Sequence, residues 1–189
     1  MQVVGVIRGL VLAGGKSLRF GSDKAQAVYR GMSLLNHAVA LLNDLDLKPV
    51  VVTRRNTGTS DLKCVTVYDQ LPDQGPLGGI DTAMRVFRDV SFLVLTCDMP
   101  HLTRELLSEL LSAHQNSHEV TLFSIHGRLQ PFPGIYGASL RKRIRTHLTK
   151  GDRSMRRLLE TTENKRWILS GKDTAVFHNV NFMHDLAVF

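Results

Sequence analysis

The sequence predicts an α/β fold, with a mostly parallel central sheet and helices on both faces. Three observations carry this. Apolar and β-branched runs alternate with segments of helical periodicity along the whole 189 residues. The run at 91–97 is apolar nearly throughout, as a parallel strand covered on both faces must be. The first strand runs straight into Gly14 and Gly15, a turn that lets the backbone approach a ligand closely.

The elements follow in order. Residues 5–12 read as a buried strand. Ser33 is placed to cap a helix whose apolar positions are Leu34, Leu35, Ala38, Val39, Leu41, Leu42 and Leu45. Residues 49–53 and 64–67 are short strands, and 77–87 is helical. Residues 91–97 form the central strand, and Thr103 caps a helix carrying Leu106, Leu107, Leu110 and Leu111. Strands are expected at 120–125 and 132–136, then a basic helix at 138–149. Two short late strands, 167–169 and 176–180, complete the chain. Nothing in composition marks a linker or a repeat, so residues 1–189 are expected to form one domain.

Composition removes several function classes. With 43% hydrophobic and 22% charged residues, and 21 Gly and Pro together (15 + 6), the chain is neither disordered nor collagen-like. The longest apolar stretches fall well short of the ~20 residues needed to span a bilayer. The N-terminus lacks a basic signal region, so a cytoplasmic protein with no membrane partner is expected. The two cysteines, Cys64 and Cys97, are too few for a disulfide framework or a cysteine zinc site. Both, with Trp167 and the methionines, read as packing. His114 and His118 are four apart, but a helix end between them argues against shared metal coordination. The net charge of +7 suits anionic partners. Much of it lies between Arg141 and Arg157 without interleaved aromatics, which fits a solvated face better than a nucleic-acid groove.

Ligands in such sheets sit beyond the carboxyl ends of the strands. The segment after the first strand is the strongest signal there: Leu12, Ala13, Gly14 and Gly15, then Lys16, Ser17, Arg19, Gly21, Asp23 and Lys24. Glycines bring backbone N–H groups to phosphate oxygens, and Arg19 and Lys24 add cationic donors. This is not a P-loop, because the glycine required five positions before Gly15 is Leu10. Asp98 follows the central strand and is placed to hold a hard cation such as Mg²⁺ beside phosphates. Asp69 follows another short strand. Gly75-Pro76-Leu77-Gly78-Gly79 opens a helix, where free N–H groups and a bare backbone admit a flat base. Asn179 and Asn181 share one face if 176–180 is a strand, and their amides are suited to a metal shell or ribose hydroxyls. No Ser, Cys or His is arranged as a covalent nucleophile with its base.

Taken together, the Leu12–Gly15 segment with Ser17, Arg19, Gly21, Asp23 and Lys24 resembles the signature of the molybdenum cofactor guanylyltransferase family. The resemblance extends through Asp69, Gly75 to Gly79, Cys97-Asp98-Met99-Pro100, Gln130-Pro131 and Asn179-Val180-Asn181. It implies a three-layer Rossmann-like nucleotidyltransferase fold. It also implies a reaction: GTP and Mg²⁺ bind, the terminal phosphate of molybdopterin attacks the α-phosphorus, and pyrophosphate leaves. On this resemblance Leu12, Ala13, Gly14 and Gly15 line the nucleotide, and Arg19 and Lys24 meet its phosphates. Asp69 helps hold the nucleotide, Gly78 and Gly79 lie near the base, and Asp98 holds the metal. Asn179 and Asn181 lie toward the metal or the pterin acceptor. A monomer receiving its acceptor from molybdopterin-handling proteins is expected.

One position departs from the family. Where relatives often place an asparagine after the strand at 49–53, this chain has Thr53, followed by Arg54 and Arg55. Thr53 is expected to take over the nucleotide contact, with CTP as the alternative to GTP and an alditol or sugar phosphate as an alternative acceptor. A non-catalytic nucleic-acid-binding module is the remaining alternative from a different class.

Overall fold

The structure, a computed structural model, describes residues 5–14, 24–54, 62–71, 73–169, 174–180, 182 and 185. Strand β1 (Ile7–Leu12) leads to a short 3₁₀ turn at Lys24–Gln26 and a small hairpin, β2 (Val28–Tyr29) and β3 (Met32–Ser33). Helix α1 (Leu34–Asp44) follows directly, and the Ser33 hydroxyl accepts the Asn36 N–H at 3.1 Å, as an N-cap should. Strands β4 (Val50–Thr53) and β5 (Val65–Tyr68) precede α2 (Gly75–Val86), β6 (Ser91–Thr96) and α3 (Arg104–Ala113), the last capped by Thr103. The remaining elements are β7 (Val120–Ile125), β8 (Arg128–Tyr136), α4 (Arg141–Thr149), α5 (Met155–Thr161) and β9 (Lys165–Leu169).

The main sheet has seven strands in the order β5-β4-β1-β6-β8-β7-β9. β5, β4, β1 and β6 are parallel neighbours, as are β7 and β9, and β8 runs antiparallel between β6 and β7. Alternate residues of each strand feed two cores. On one face Val11, Val51, Leu93 and Leu95 pack against Leu35, Val39 and Leu42 of α1 and Leu106, Leu107 and Leu110 of α3. On the other, Leu10, Val50, Val52 and Val94 pack against Leu77, Ile80 and Met84 of α2, Ile144 of α4 and Leu158 of α5. This is the three-layer arrangement expected from the sequence.

The chain steps from β1 to β4 and β5 on one side and then crosses through α2 to β6 on the other, so the strand order reverses at β1. A crevice opens at such a switch point. No helix among the described residues is long and apolar enough to cross a membrane.

Three expectations are corrected. Residues 176–180 are not a strand: Thr174–Phe177 forms a 3₁₀ turn, in which Phe177 is buried with its ring 5.2 Å from Phe123. Side-chain alternation therefore does not apply to Asn179. Trp167 is not packing; it is 50% exposed on the edge strand β9. Met32 is likewise exposed on the hairpin rather than buried, although Met84, Met99 and Met155 do pack in the core.

Candidate active site

The carboxyl ends of β1, β4 and β6 line a cavity of about 480 Å³. Leu12, Ala13 and Gly14 come from β1 and its turn, Val52 and Arg54 from the end of β4, and Thr96, Cys97 and Asp98 from the end of β6. Lys24 closes one side. Asp69, Asp73, Gly75, Pro76 and Gly79 close another, and Arg153 reaches in from the α4–α5 turn.

The polar end is built on one ion pair. The Lys24 ammonium lies 3.1 Å from Asp98 Oδ2, with the two side chains only 15% and 22% exposed. The chain brings them together across 74 residues of sequence. Asp98 Oδ1 is buried and accepts no hydrogen bond. An orphaned carboxylate oxygen beside a cavity is a poor place for nothing, since leaving it unmet costs free energy, and it fits a hard cation well. Among the described residues no group of three or more His, Cys, Asp and Glu side chains gathers as a metal cage. One carboxylate completed by phosphates and waters is the coordination Mg²⁺ favours. The residues present therefore fit the metal implied by the sequence. The Asp98 carbonyl also accepts the Val180 N–H at 2.8 Å, tying the late motif to this end of the cavity.

The other end is held by α2. Asp69 Oδ1 accepts the Leu71 N–H at 2.9 Å and the Thr82 hydroxyl at 3.2 Å, and the Asp69 N–H donates to the Thr53 carbonyl at 2.8 Å. Thr82 is fully buried and also receives the Gln70 N–H at 3.3 Å. It is the residue through which α2 orients Asp69. Replacing Thr82 by valine keeps the volume but removes the donor. A hydrogen bond to a charged group contributes about 1.5–3 kcal/mol, so urea unfolding should show a loss of about that size. Turnover should fall several-fold, and serine should restore both.

Glycines set the floor of this end. A Cβ on Gly79 would come 2.8 Å from Leu12 Cδ2, so the bare backbone lets α2 close onto β1. Gly78 does not line the cavity: its Cβ would come 2.7 Å from Gln74 Cβ and 3.0 Å from the Leu71 carbonyl. Its bare backbone lets the turn at Leu71 and Gln74 close onto α2.

The rim carries a second ion pair, Arg54 Nη2 to Asp73 Oδ1 at 2.9 Å, and Arg153 donates to the Asp73 carbonyl at 3.0 Å. The turn that presents Arg153 is itself held. The Ser154 N–H, and then the His147 ring and Arg157, keep the Asp152 carboxyl below the usual carboxylate range, against the opposing effect of burial. Arg153, which belongs to a basic segment that with Arg156 is suited to attract an acceptor bearing several negative charges, is thus brought to the cavity.

Of the sequence-predicted residues, Leu12, Ala13, Gly14, Lys24, Asp69, Gly79 and Asp98 meet around one cavity. Thr53 does not join them. It is fully buried, on the β4 face of Val51 rather than that of Val52, and its hydroxyl makes no hydrogen bond. Asn179 is exposed and does not line the cavity. Gly15, Arg19 and Asn181 lie outside the described residues. Cys97, expected as packing, is half-buried and lines the cavity as well as contacting the core. Sequence reasoning missed Arg54 and Asp73, although Arg54 follows Val52 by two positions and so shares its face.

Comparison with known proteins follows this geometry. A curated relative from Carboxydothermus hydrogenoformans, named a probable molybdenum cofactor guanylyltransferase, is 34% identical over 139 residues, covering 73% of this chain and 69% of its own. A relative of the same name from Bacillus cereus is 30% identical over 182 residues, covering 92% and 90%. The crystal structure of molybdopterin-guanine dinucleotide biosynthesis protein A from Archaeoglobus fulgidus superposes with a TM-score of 0.79 at 23% identity, over 95% of both chains, and shares the fold. The model of the MobA-like NTP transferase domain matches residues 9–167, a span that holds every cavity-lining residue, and the chain belongs to that family of nucleotidyltransferases.

Proposed function

We propose that this protein transfers GMP from GTP to molybdopterin carrying molybdenum, forming the guanine dinucleotide and releasing pyrophosphate. The observation that carries the proposal is the Lys24–Asp98 pair at the carboxyl end of β6, one carboxylate oxygen held by an ammonium and the other buried without a partner. A triphosphate laid across this end would give the ammonium a phosphate oxygen and leave the Asp98 carboxylate to hold a divalent metal. Both names given to the curated relatives agree with the reading.

In this mechanism the turn after β1 brings backbone N–H groups of Gly14, and by resemblance Gly15, to the phosphates. Lys24 holds the triphosphate as a point charge, and Arg19 adds a forked donor by resemblance. Asp98 would hold Mg²⁺, which would supply charge neutralisation at the phosphate oxygens and the leaving pyrophosphate. Asp69, fixed by Thr82, and Gly79 hold the nucleoside end. The acceptor is already a phosphate, so its attack on the α-phosphorus needs alignment and charge neutralisation rather than a strong general base. The absence of an activated nucleophile from the sequence reading is consistent with this. Arg153 stands at the rim where an acceptor bearing several negative charges approaches. Asn179 and Asn181 are assigned to the acceptor side by resemblance alone. A cytoplasmic monomer receiving its acceptor from molybdopterin-handling proteins completes the proposal.

Thermal stabilisation by GTP, CTP, ATP and UTP, each with and without Mg²⁺, tests it. A ligand at 100 times its Kd adds about 2.7 kcal/mol to stability. The expected result is a Mg²⁺-enhanced shift with GTP. A response to CTP alone would keep the mechanism and replace the substrate. No response to any nucleotide would remove the basis of the proposal.

A further inference from the structure

The geometry points to Arg54 as the residue that selects the base, reading the O6 and N7 edge of guanine with its guanidinium while Asp73 holds it in place. The inference rests on the GTP reading and deepens it. Thr53, at the end of β4, has its side chain buried away from the cavity. The next residue, Arg54, lines the cavity on the same side as Val52.

The two ends of the cavity differ in chemistry. Lys24 and Asp98 mark the phosphate and metal end. On the α2 side Leu12 and Val52 close onto Gly79 beside Pro76, an apolar slot suited to a flat ring, and Arg54, Asp69 and Asp73 are further polar groups of the lining. A nucleotide with its phosphates at the first end puts its base at the second. From the end of β4 the stem of Arg54 passes the turn after β1, its Cγ 4.0 Å from the place of a Cβ on Gly14, and its guanidinium reaches Asp73 just ahead of α2.

Asp73 engages Nη2 of Arg54 at 2.9 Å. Among the described residues no other group takes up the remaining guanidinium donors. Two parallel N–H donors match the paired acceptors O6 and N7 of guanine. Adenine turns an amino donor toward the same place, and cytosine presents an amino group with no N7. An arginine held by a carboxylate therefore favours guanine over both.

Calorimetric binding of GTP, 7-deaza-GTP, ITP and ATP, in the presence of Mg²⁺, to the wild type and to Arg54→Ala tests this. The wild type should bind GTP and ITP about tenfold more tightly than 7-deaza-GTP, which lacks the N7 acceptor, and more tightly still than ATP. Arg54→Ala should bind GTP and 7-deaza-GTP alike and lose about tenfold in its preference for GTP over ATP. Arg54 is 39% exposed, so this variant should fold as the wild type does. Asp73→Ala should reduce the same preferences by a smaller factor. Equal weakening of all four nucleotides by Arg54→Ala would make Arg54 a phosphate contact and overturn the proposal, as would no change. A wild type that prefers CTP or binds no GTP would instead bring down the GTP reading, and the proposal with it.

Discussion

Asp98→Ala is expected to lower turnover by about 10³-fold while the protein folds normally. The size follows from the role. A preorganised electrostatic group aimed at charge that develops in the transition state is commonly worth a factor of 10² to 10³, and Asp98 is the one described carboxylate with an orphaned oxygen at the phosphate end of the cavity. Two opposing effects keep stability nearly unchanged. Removing the carboxylate takes away the 3.1 Å ion pair it makes with the Lys24 ammonium, which is 15% exposed. It also removes a buried oxygen that had no hydrogen bond, which relieves a cost of about 1–3 kcal/mol. The Asp98 carbonyl that receives the Val180 N–H is backbone and survives the change. Circular dichroism and the melting temperature should therefore match the wild type, and the Mg²⁺-dependent part of the GTP-induced thermal shift should vanish. Near-normal turnover in a folded Asp98→Ala protein would remove Asp98 from the metal site.

The scaffold of this site is legible in the sequence because it depends on hydrophobic period. β1, β4 and β6 are buried on both faces, so their residues are apolar at consecutive positions, and the ligand crevice follows from where they end. Ser33 and Thr103 cap their helices as their positions ahead of apolar stripes require. The sequence assigns Lys24 to the phosphates and Asp98 to the metal, and the two side chains meet at 3.1 Å. What was not legible depends on orientation at strand ends and on turns. Thr53 and Arg54 are adjacent, and only the sheet register decides that Val52 and Arg54 face the cavity while Thr53 turns to the other core. The hairpin β2–β3 has two residues in each strand and Arg30 at its turn with φ 48°, too short and too unusual for a periodic signal. Helix α5 has seven residues, and charge masked its three apolar positions, Met155, Leu158 and Leu159. Residues 176–180 carry strand-like residues, but Thr174–Phe177 forms a 3₁₀ turn and 178–180 no regular element, because Phe177 packs on Phe123 and Val180 bonds to the Asp98 loop. Tertiary packing there overrides local propensity.

Lys24→Ala is expected to move two measurements in opposite directions. Turnover should fall by about 10²-fold or more, with a raised KM for GTP, because a positioned cation no longer meets the triphosphate. Metal binding to the free protein should become tighter. In the free protein the ammonium sits 3.1 Å from Asp98 Oδ2 and competes with any second cation for that carboxylate. Two unit charges near 4 Å interact by about 4 kcal/mol at the effective dielectric of a protein surface and about 1 kcal/mol in water. The pair is mostly buried, so repulsion between Lys24 and a bound divalent ion falls toward the upper of these values before solvent reorganisation reduces it. A several-fold fall in the Mg²⁺ or Mn²⁺ dissociation constant is the measurable remainder, read by calorimetry without nucleotide. Asp98→Ala should abolish the same binding, which links the two variants to one site. A Lys24→Ala protein that loses turnover and metal affinity together would mean that the ammonium helps assemble the metal site instead of competing for it. Unchanged turnover would make the ion pair a purely structural contact.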